Sequence, residues 1–293
     1  MTENAVVIEG LGRSFGSKEV LAGVTARIKT GRVVGLLGRN GEGKTTLLKI
    51  LLDLLASDSG RAEVLGLAPD GSGVIRSKVG YVPEKPAFHD FMTVGRVLEL
   101  RRRFFPTWSA EKAASLCDCL ELDPCLKVRD ASKGGLGKLA WVCAASHDPE
   151  LFLLDEPTSG LDALVRDDIL TSLITELHGR GRTFLIANHR MEEMAGLLDE
   201  VWVLAHGRLT TYDAEALRRA RRVTGRLKPG AKAPSSEGAL AVRGEGPLAE
   251  WVALDEGAVR WLAGSGAVEG IETAPQAFEE TLKCLLSRAG GKR

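Results

Sequence analysis

The chain has 293 residues, 44% of them hydrophobic, with 39 lysines and arginines balanced by 39 aspartates and glutamates. That length holds one large α/β domain, or a medium domain with a small appendage, and the apolar content suffices for a full core. The even charge excludes nucleic-acid binding through a global positive field, and no apolar run approaches the roughly 18 residues that span a bilayer.

In chain order, Ala5 to Glu9 and Val20 to Ile28 read as short strands separated by a turn at Phe15-Gly16-Ser17. The apolar run Val33 to Leu37 then leads into Gly-Arg-Asn-Gly-Glu-Gly-Lys-Thr-Thr, Gly38 to Thr46, followed by a helix-forming run. This is a G-x-x-x-x-G-K-[ST] phosphate loop between a buried strand and a helix, the context that gives the pattern meaning. Glycines let backbone N–H groups turn towards a polyphosphate, and the helix start adds partial positive charge. Lys44 can reach the β- and γ-phosphates and the Thr45 hydroxyl can ligate Mg²⁺. The loop implies that a nucleoside triphosphate binds.

Arg61 to Leu65 and Lys78 to Val82 read as further strands. Val94 to about Ser146 is helical, with Pro106, Pro124 and Gly134-Gly135 as punctuation. Leu151 to Leu154, Thr183 to Ala187 and Val201 to Leu204 are continuous apolar strands, with a helix over Asp162 to Gly179 between the first two. Such runs belong to a parallel sheet covered on both faces, here a doubly wound one with ligands at the strand C-terminal ends. After about Tyr212 the texture changes. A basic stretch, Arg218 to Arg222, precedes a Pro/Gly/Ser-rich segment, Lys228 to Gly238. Strands near Ala239 to Arg243, Ala249 to Leu254 and Val268 to Thr273 follow, with helices at Glu256 to Leu262 and Gln276 to Leu286. The expected organisation is an ATP-binding domain over 1–215 and a small α+β appendage over 216–293. Cys117, Cys119, Cys125, Cys143 and Cys284 form no C-x-x-C pair and read as free thiols of a reducing compartment.

Leu151 to Glu156 ends in Asp155-Glu156. An acid at the end of a buried strand can hold Mg²⁺ beside the phosphates, which suits Asp155, and Glu156 has the position of a base for the attacking water.

Over roughly Ala5 to Leu209 the chain resembles the ATP-binding subunits of ABC transporters. Gly38 to Thr46 corresponds to Walker A, with Gly38, Arg39, Asn40, Gly41, Glu42, Gly43, Lys44, Thr45 and Thr46 as nucleotide-binding positions. Leu151 to Glu156 corresponds to Walker B. Pro157 to Asp162 matches the D-loop, and His189 matches the switch histidine that contacts the γ-phosphate. Phe15 matches the aromatic that stacks on adenine, with a plain turn or core aromatic as the alternative. The resemblance implies a P-loop NTPase fold: a mainly parallel sheet, an antiparallel β subdomain, and a helical subdomain over about 86–146. ATP and Mg²⁺ are the implied cofactors.

Two departures stand out. The signature loop corresponds to Ala131-Ser132-Lys133-Gly134-Gly135. Ser132 and Gly134 keep its contacts to the partner subunit's ATP and Lys133, a departure, adds positive charge beside that anion, whereas Gly135 and Gly137 weaken the helix start by roughly 1 kcal/mol each. Glu84 replaces the family's usual glutamine; it still offers Mg²⁺ an oxygen but adds negative charge. The segment through Phe88, Phe91 and Met92-Thr93-Val94 is the surface that would receive a permease's coupling helix, or else core packing. Arg101 to Arg103 and Arg218 to Arg222 are solvated faces or contacts to anionic lipid or the membrane partner.

The implied protein is a homo- or heterodimeric ATPase subunit, peripheral on the inner face of the cell membrane, that energises a polytopic permease and binds no nucleic acid. Pro275 to Glu279, before the last helix, is similar to the tails of subunits serving ABC-2-type exporters, so export is expected. The alternative is a soluble or regulatory ABC ATPase with weak hydrolysis. DNA-repair members carry coiled-coil or zinc insertions before the signature, and translation-type members carry two cassettes; neither feature is present here.

Overall fold

A computed structural model describes residues 3–157, 174, 178–188, 194–236, 238–243 and 248–289. Its centre is a six-stranded sheet in the order β5-β6-β7-β3-β8-β9. The strands are β3 (Val33–Leu37), β5 (Val79–Val82), β6 (Leu151–Asp155), β7 (Thr183–Ala187), β8 (Glu200–Ala205) and β9 (Arg208–Asp213). The first five run parallel, and β9 returns antiparallel to β8. Every residue of β3, β6 and β7 is buried, which is why these strands read as unbroken apolar runs.

The two faces are covered differently. On one, Val34, Leu36, Leu153 and Leu185 pack against α1 (Lys44–Leu51) and an antiparallel sheet. That sheet is formed by β1 (Asn4–Phe15), β2 (Lys18–Lys29) and β4 (Ser59–Val64) in the order β2-β1-β4. A doubly wound sheet would place only helices there; here the long hairpin shares the face with α1, its Ile8, Leu11, Leu21 and Ile28 joining that core. On the other face, Phe152 stacks on Phe184 at 4.9 Å and packs under helices. Those before β6 are α3 (Val94–Arg102), α4 (Ala110–Cys119) and α5 (Lys133–Ala145), whereas the short α2 (Val74–Lys78), preceding β5, buries Ile75 in the core of the opposite face. Thr93, Ser109 and Ser132 cap α3, α4 and α5 by accepting a backbone N–H three residues on. Gly134 and Gly135, expected as punctuation, lie inside the first turn of α5.

The C-terminal region begins with α6 (Ala214–Arg218), which spans the expected boundary at residue 215. Then β10 (Arg221–Leu227), β11 (Ala239–Arg243), β12 (Leu248–Ala253) and β13 (Val268–Pro275) form an antiparallel sheet, β11-β12-β10-β13. Two helices, α7 (Glu256–Gly264) and α8 (Phe278–Ala289), accompany it. Trp251, Val223 and Leu262 form one small core, whereas Leu240, Val252, Leu282 and Leu285 join the helical-side core of the central sheet. The strand β10 was not expected. Its arginines hide an alternation in which Val223, Gly225 and Leu227 are buried. Arg218 is likewise no free basic residue: it donates to the carbonyls of Ala195 and Leu198 and lies over the Phe278 ring. The five cysteines are free, and no acid, His or Cys cluster among the described residues could hold a metal by itself. The helix expected over Asp162–Gly179 lies largely outside the described residues.

Candidate nucleotide-binding site

The C-terminal ends of β3 and β6 open into a cleft of about 570 Å³. Lining it are Asn40, Gly41, Gly43, Lys44, Thr45 and Thr46 of the loop, Asp155 and Glu156 from β6, Glu84 after β5, and Phe15 at the end of β1. Glycine is required at two of the loop positions. A Cβ on Gly38 would lie 2.6 Å from the Leu204 carbonyl oxygen; on Gly43, which has a φ of 105°, it would lie 2.8 Å from Val20 Cγ1. Gly38, Arg39 and Glu42 shape the loop without lining the cleft. The Glu42 carboxylate accepts the His206 N–H at 2.6 Å, tying the loop to the β8–β9 turn.

Gly43 begins α1 with no side-chain cap, so the first-turn N–H groups have no side-chain acceptor. Lys44 is 7% exposed and folds back across the loop. Its Nζ donates to Gly38 O at 2.8 Å and Arg39 O at 3.3 Å, and lies 3.9 Å from Glu156 Oε1. The result is a cation held in place by two backbone carbonyls of the loop.

Thr45 and Asp155, 110 residues apart, meet through a 2.7 Å bond from Thr45 Oγ1 to Asp155 Oδ2. Asp155 is 2% exposed, and burial holds its carboxyl above the usual carboxylate range. The Thr45 bond opposes that shift, while the charges of Glu84 and Glu156 add to it. The other oxygen, Oδ1, is buried without a protein partner. A buried, partnerless carboxylate oxygen beside a hydroxyl fits a divalent cation. The 2.7 Å separation is also close to the about 3 Å between neighbouring ligands of octahedral Mg²⁺. Glu156 follows with a left-handed φ of 49°, its N–H bonded to Ala187 O at 2.8 Å, which ends the strand and turns its side chain along the cleft.

Sequence reasoning missed four neighbours. Lys18 and Val20 line the cleft beside Phe15. Tyr81, whose hydroxyl is pushed up to about 12 mainly by burial and then by Asp155 and Glu84, stands beneath the acids. Asn188 is fully buried at the end of β7, its N–H donated to Leu36 O. Only Tyr81 had a local signal, an aromatic three residues before Glu84. His189 and the D-loop from Thr158 onward lie outside the described residues.

The signature residues Ser132, Lys133 and Gly134 do not line this cleft. Ser132 is exposed and caps α5, accepting the Gly135 N–H at 3.0 Å. Its hydroxyl proton is not consumed by that bond.

The sequence profile of the ABC transporter family matches residues 21–159. The ABC transporter ATP-binding protein YtrB of Bacillus subtilis is 31% identical over 205 residues, 70% of this chain and 70% of that protein. The Nod factor export ATP-binding protein I of Rhizobium sp. strain N33 is 34% identical over 215 residues, 71% of this chain and 70% of that one. Among solved structures, an ATP-binding subunit of an ABC transporter superposes with a TM-score of 0.68 at 26% identity, covering 73% of this chain and 92% of its own. The phosphate loop, the acidic strand end and these likenesses agree: the chain belongs to the ATP-binding, ATP-hydrolysing subunits of ABC transporters.

Proposed function

We propose that this subunit hydrolyses Mg²⁺-ATP in a dimer whose two clefts are each completed by the partner's Ser132, Lys133 and Gly134, and that it thereby drives export through a separate polytopic permease. The observation that carries the reading is the Thr45–Asp155 pair with its partnerless Oδ1, beside the buried Lys44. In this scheme Lys44 and the α1 N–H groups take the β- and γ-phosphates. Thr45, Asp155 and Glu84 hold Mg²⁺, which when bound neutralises phosphate charge. Glu156 orients and deprotonates the attacking water, with His189 on the γ-phosphate. Lys44 Nζ lies 3.9 Å from Glu156 Oε1, which keeps the base beside the cation that takes the phosphates. Export is favoured by the likeness to Nod factor export proteins and by the tail from Pro275 to Glu279.

The exposed placement of Ser132 and Lys133, away from the chain's own cleft, supports the shared site. Phe91 and Phe104, 76% and 65% exposed, flank apolar grooves with Phe88 and Met92 and offer a surface for the permease. No helix among the described residues is long and apolar enough to cross a membrane itself. Residues 216–293 would form an accessory region on this engine.

Purified Glu156→Gln protein should turn over ATP about 10²- to 10⁴-fold more slowly than the wild type and sediment as a dimer with saturating ATP and Mg²⁺. Equal turnover removes Glu156 as the base; a strict monomer removes the shared site.

A further inference from the structure

Behind the ring of Phe15 stands a second, braced cation. The Arg13 guanidinium carbon lies 4.9 Å from the Phe15 centroid. Its Nη1 donates to Asp58 Oδ1 at 2.6 Å, and the other Asp58 oxygen accepts the Ser14 N–H at 2.7 Å. Asp58 N–H in turn donates to Gly12 O at 2.8 Å, so the residue just before β4 grips three successive residues of β1. That grip needs the close approach of Gly12, where a Cβ would lie 2.4 Å from Ser59 Oγ. The β1 register shifts between Arg13 and Ser14, an irregularity that re-aims the strand end.

Phe15 is 48% exposed and lines the cleft. It has no hydroxyl or indole N–H with which to anchor itself, and a half-exposed phenyl ring free to change rotamer loses ordering entropy on stacking. A guanidinium held over one face removes that freedom and leaves the opposite face for a flat partner. Cation–π attraction fixes the ring, and the ion pair to Asp58 fixes the cation.

We propose that Arg13, clamped by Asp58, is a positioning residue for the nucleobase: it plates one face of Phe15 so that the other face presents a rigid stacking surface to the base of the bound nucleotide. This rests on the reading of Phe15 as the base platform. Arg13 acts through the ring, never on the phosphates, so its contribution belongs to ligands that carry a base.

The test uses the full chain with two ligands, Mg²⁺-ATP as substrate and inorganic tripolyphosphate, which has no base, as competitive inhibitor. Arg13→Gln should raise the KM for ATP about 3- to 10-fold while the tripolyphosphate Ki stays the same. Asp58→Asn keeps an acceptor for Ser14 but loosens Arg13, and should raise the ATP KM less, again without moving Ki. In a Phe15→Leu background, Arg13→Gln should add no further rise. A parallel rise in Ki, an unchanged ATP KM in Arg13→Gln, or additivity with Phe15→Leu would each overturn the proposal. Phe15→Leu alone separates the two levels: if it leaves the ATP KM unchanged the base-platform reading fails, and if it raises KM while Arg13→Gln does not, only the role of Arg13 fails. Asp58 is half exposed, so removing Arg13 buries no unpaired charge, and melting curves check that each variant folds.

Discussion

The starts of α1 and α5 are both helix N-termini with glycines in or before the first turn, yet they are built for opposite circumstances. At α1 no side chain caps the helix, a buried lysine lies across the loop, and the donors face a cleft within the chain. At α5 Ser132 satisfies a donor itself, and the turn is exposed to solvent. A helix start that will meet its anion inside its own fold can leave its donors open and rely on the ligand. One that waits for a second subunit must be stable alone, so it carries its own cap. The contrast teaches that a half-site facing outward has to be self-sufficient.

The largest expected effect breaks the α1 side. Lys44→Ala removes two bonds that close the loop and the cation facing the phosphates, and should weaken ATP binding about 10³-fold by calorimetry. Retained affinity would mean that backbone donors alone hold the phosphates.

The buried end of α5 provides a sharper contrast with its exposed start. His147, just beyond that helix, is 2% exposed and stacks on Phe105 at 4.1 Å. Burial, chiefly, lowers its pKa from 6.5 to about 4. The native state therefore refuses a proton that the unfolded chain accepts, so stability is lost as pH falls from 6.5 towards 4. The loss should be about 2–3 kcal/mol at pH 4.5. Urea unfolding at pH 7 and 4.5 should show this difference in the wild type and lose it in His147→Phe; the same slope in both would assign the effect to other groups.

Smaller effects address the exposed start. Ser132→Ala should cost about 1 kcal/mol of stability through the lost cap and slow hydrolysis in the dimer. ATP affinity of dilute monomer should not follow, because Ser132 lies outside the chain's own cleft; a matching loss of affinity would place it there. Smallest is Gly135→Ala. Its Cβ would meet Ala131 Cβ and Ser132 Oγ at 3.5 Å, ordinary contacts, so the melting temperature should rise by the equivalent of about 0.5–1 kcal/mol. A fall would show that the glycine is needed for its backbone freedom.

Much of the central sheet was legible because its signals are local. Residues 33–37, 151–154 and 184–187 are apolar throughout, and burial on both faces demands that pattern. The strands β9 and β10 were not legible. The first is a half-exposed edge strand with polar residues, and the second has arginines on its outward face that mask the alternation. Reading Arg218 as surface charge failed for a related reason: a guanidinium can be buried at its tip if carbonyls receive it, and those of Ala195 and Leu198 come from a distant segment.

By itself the amino-acid sequence determined that a triphosphate loop joins a buried strand to a helix and that two acids end another such strand. Those features need only residue types in a fixed spacing. The tertiary structure alone decided that Thr45 bonds Asp155, that Glu84 lies near enough to raise its pKa, and that Arg13 backs Phe15 under the grip of Asp58. It likewise set Ser132 outside the cleft to which its own chain contributes Lys44. Hydrogen bonds, ion pairs and ring contacts act over a few ångströms, whereas sheet order brings together strands far apart along the chain. Spacing in sequence therefore names the chemistry, and packing decides which groups share it.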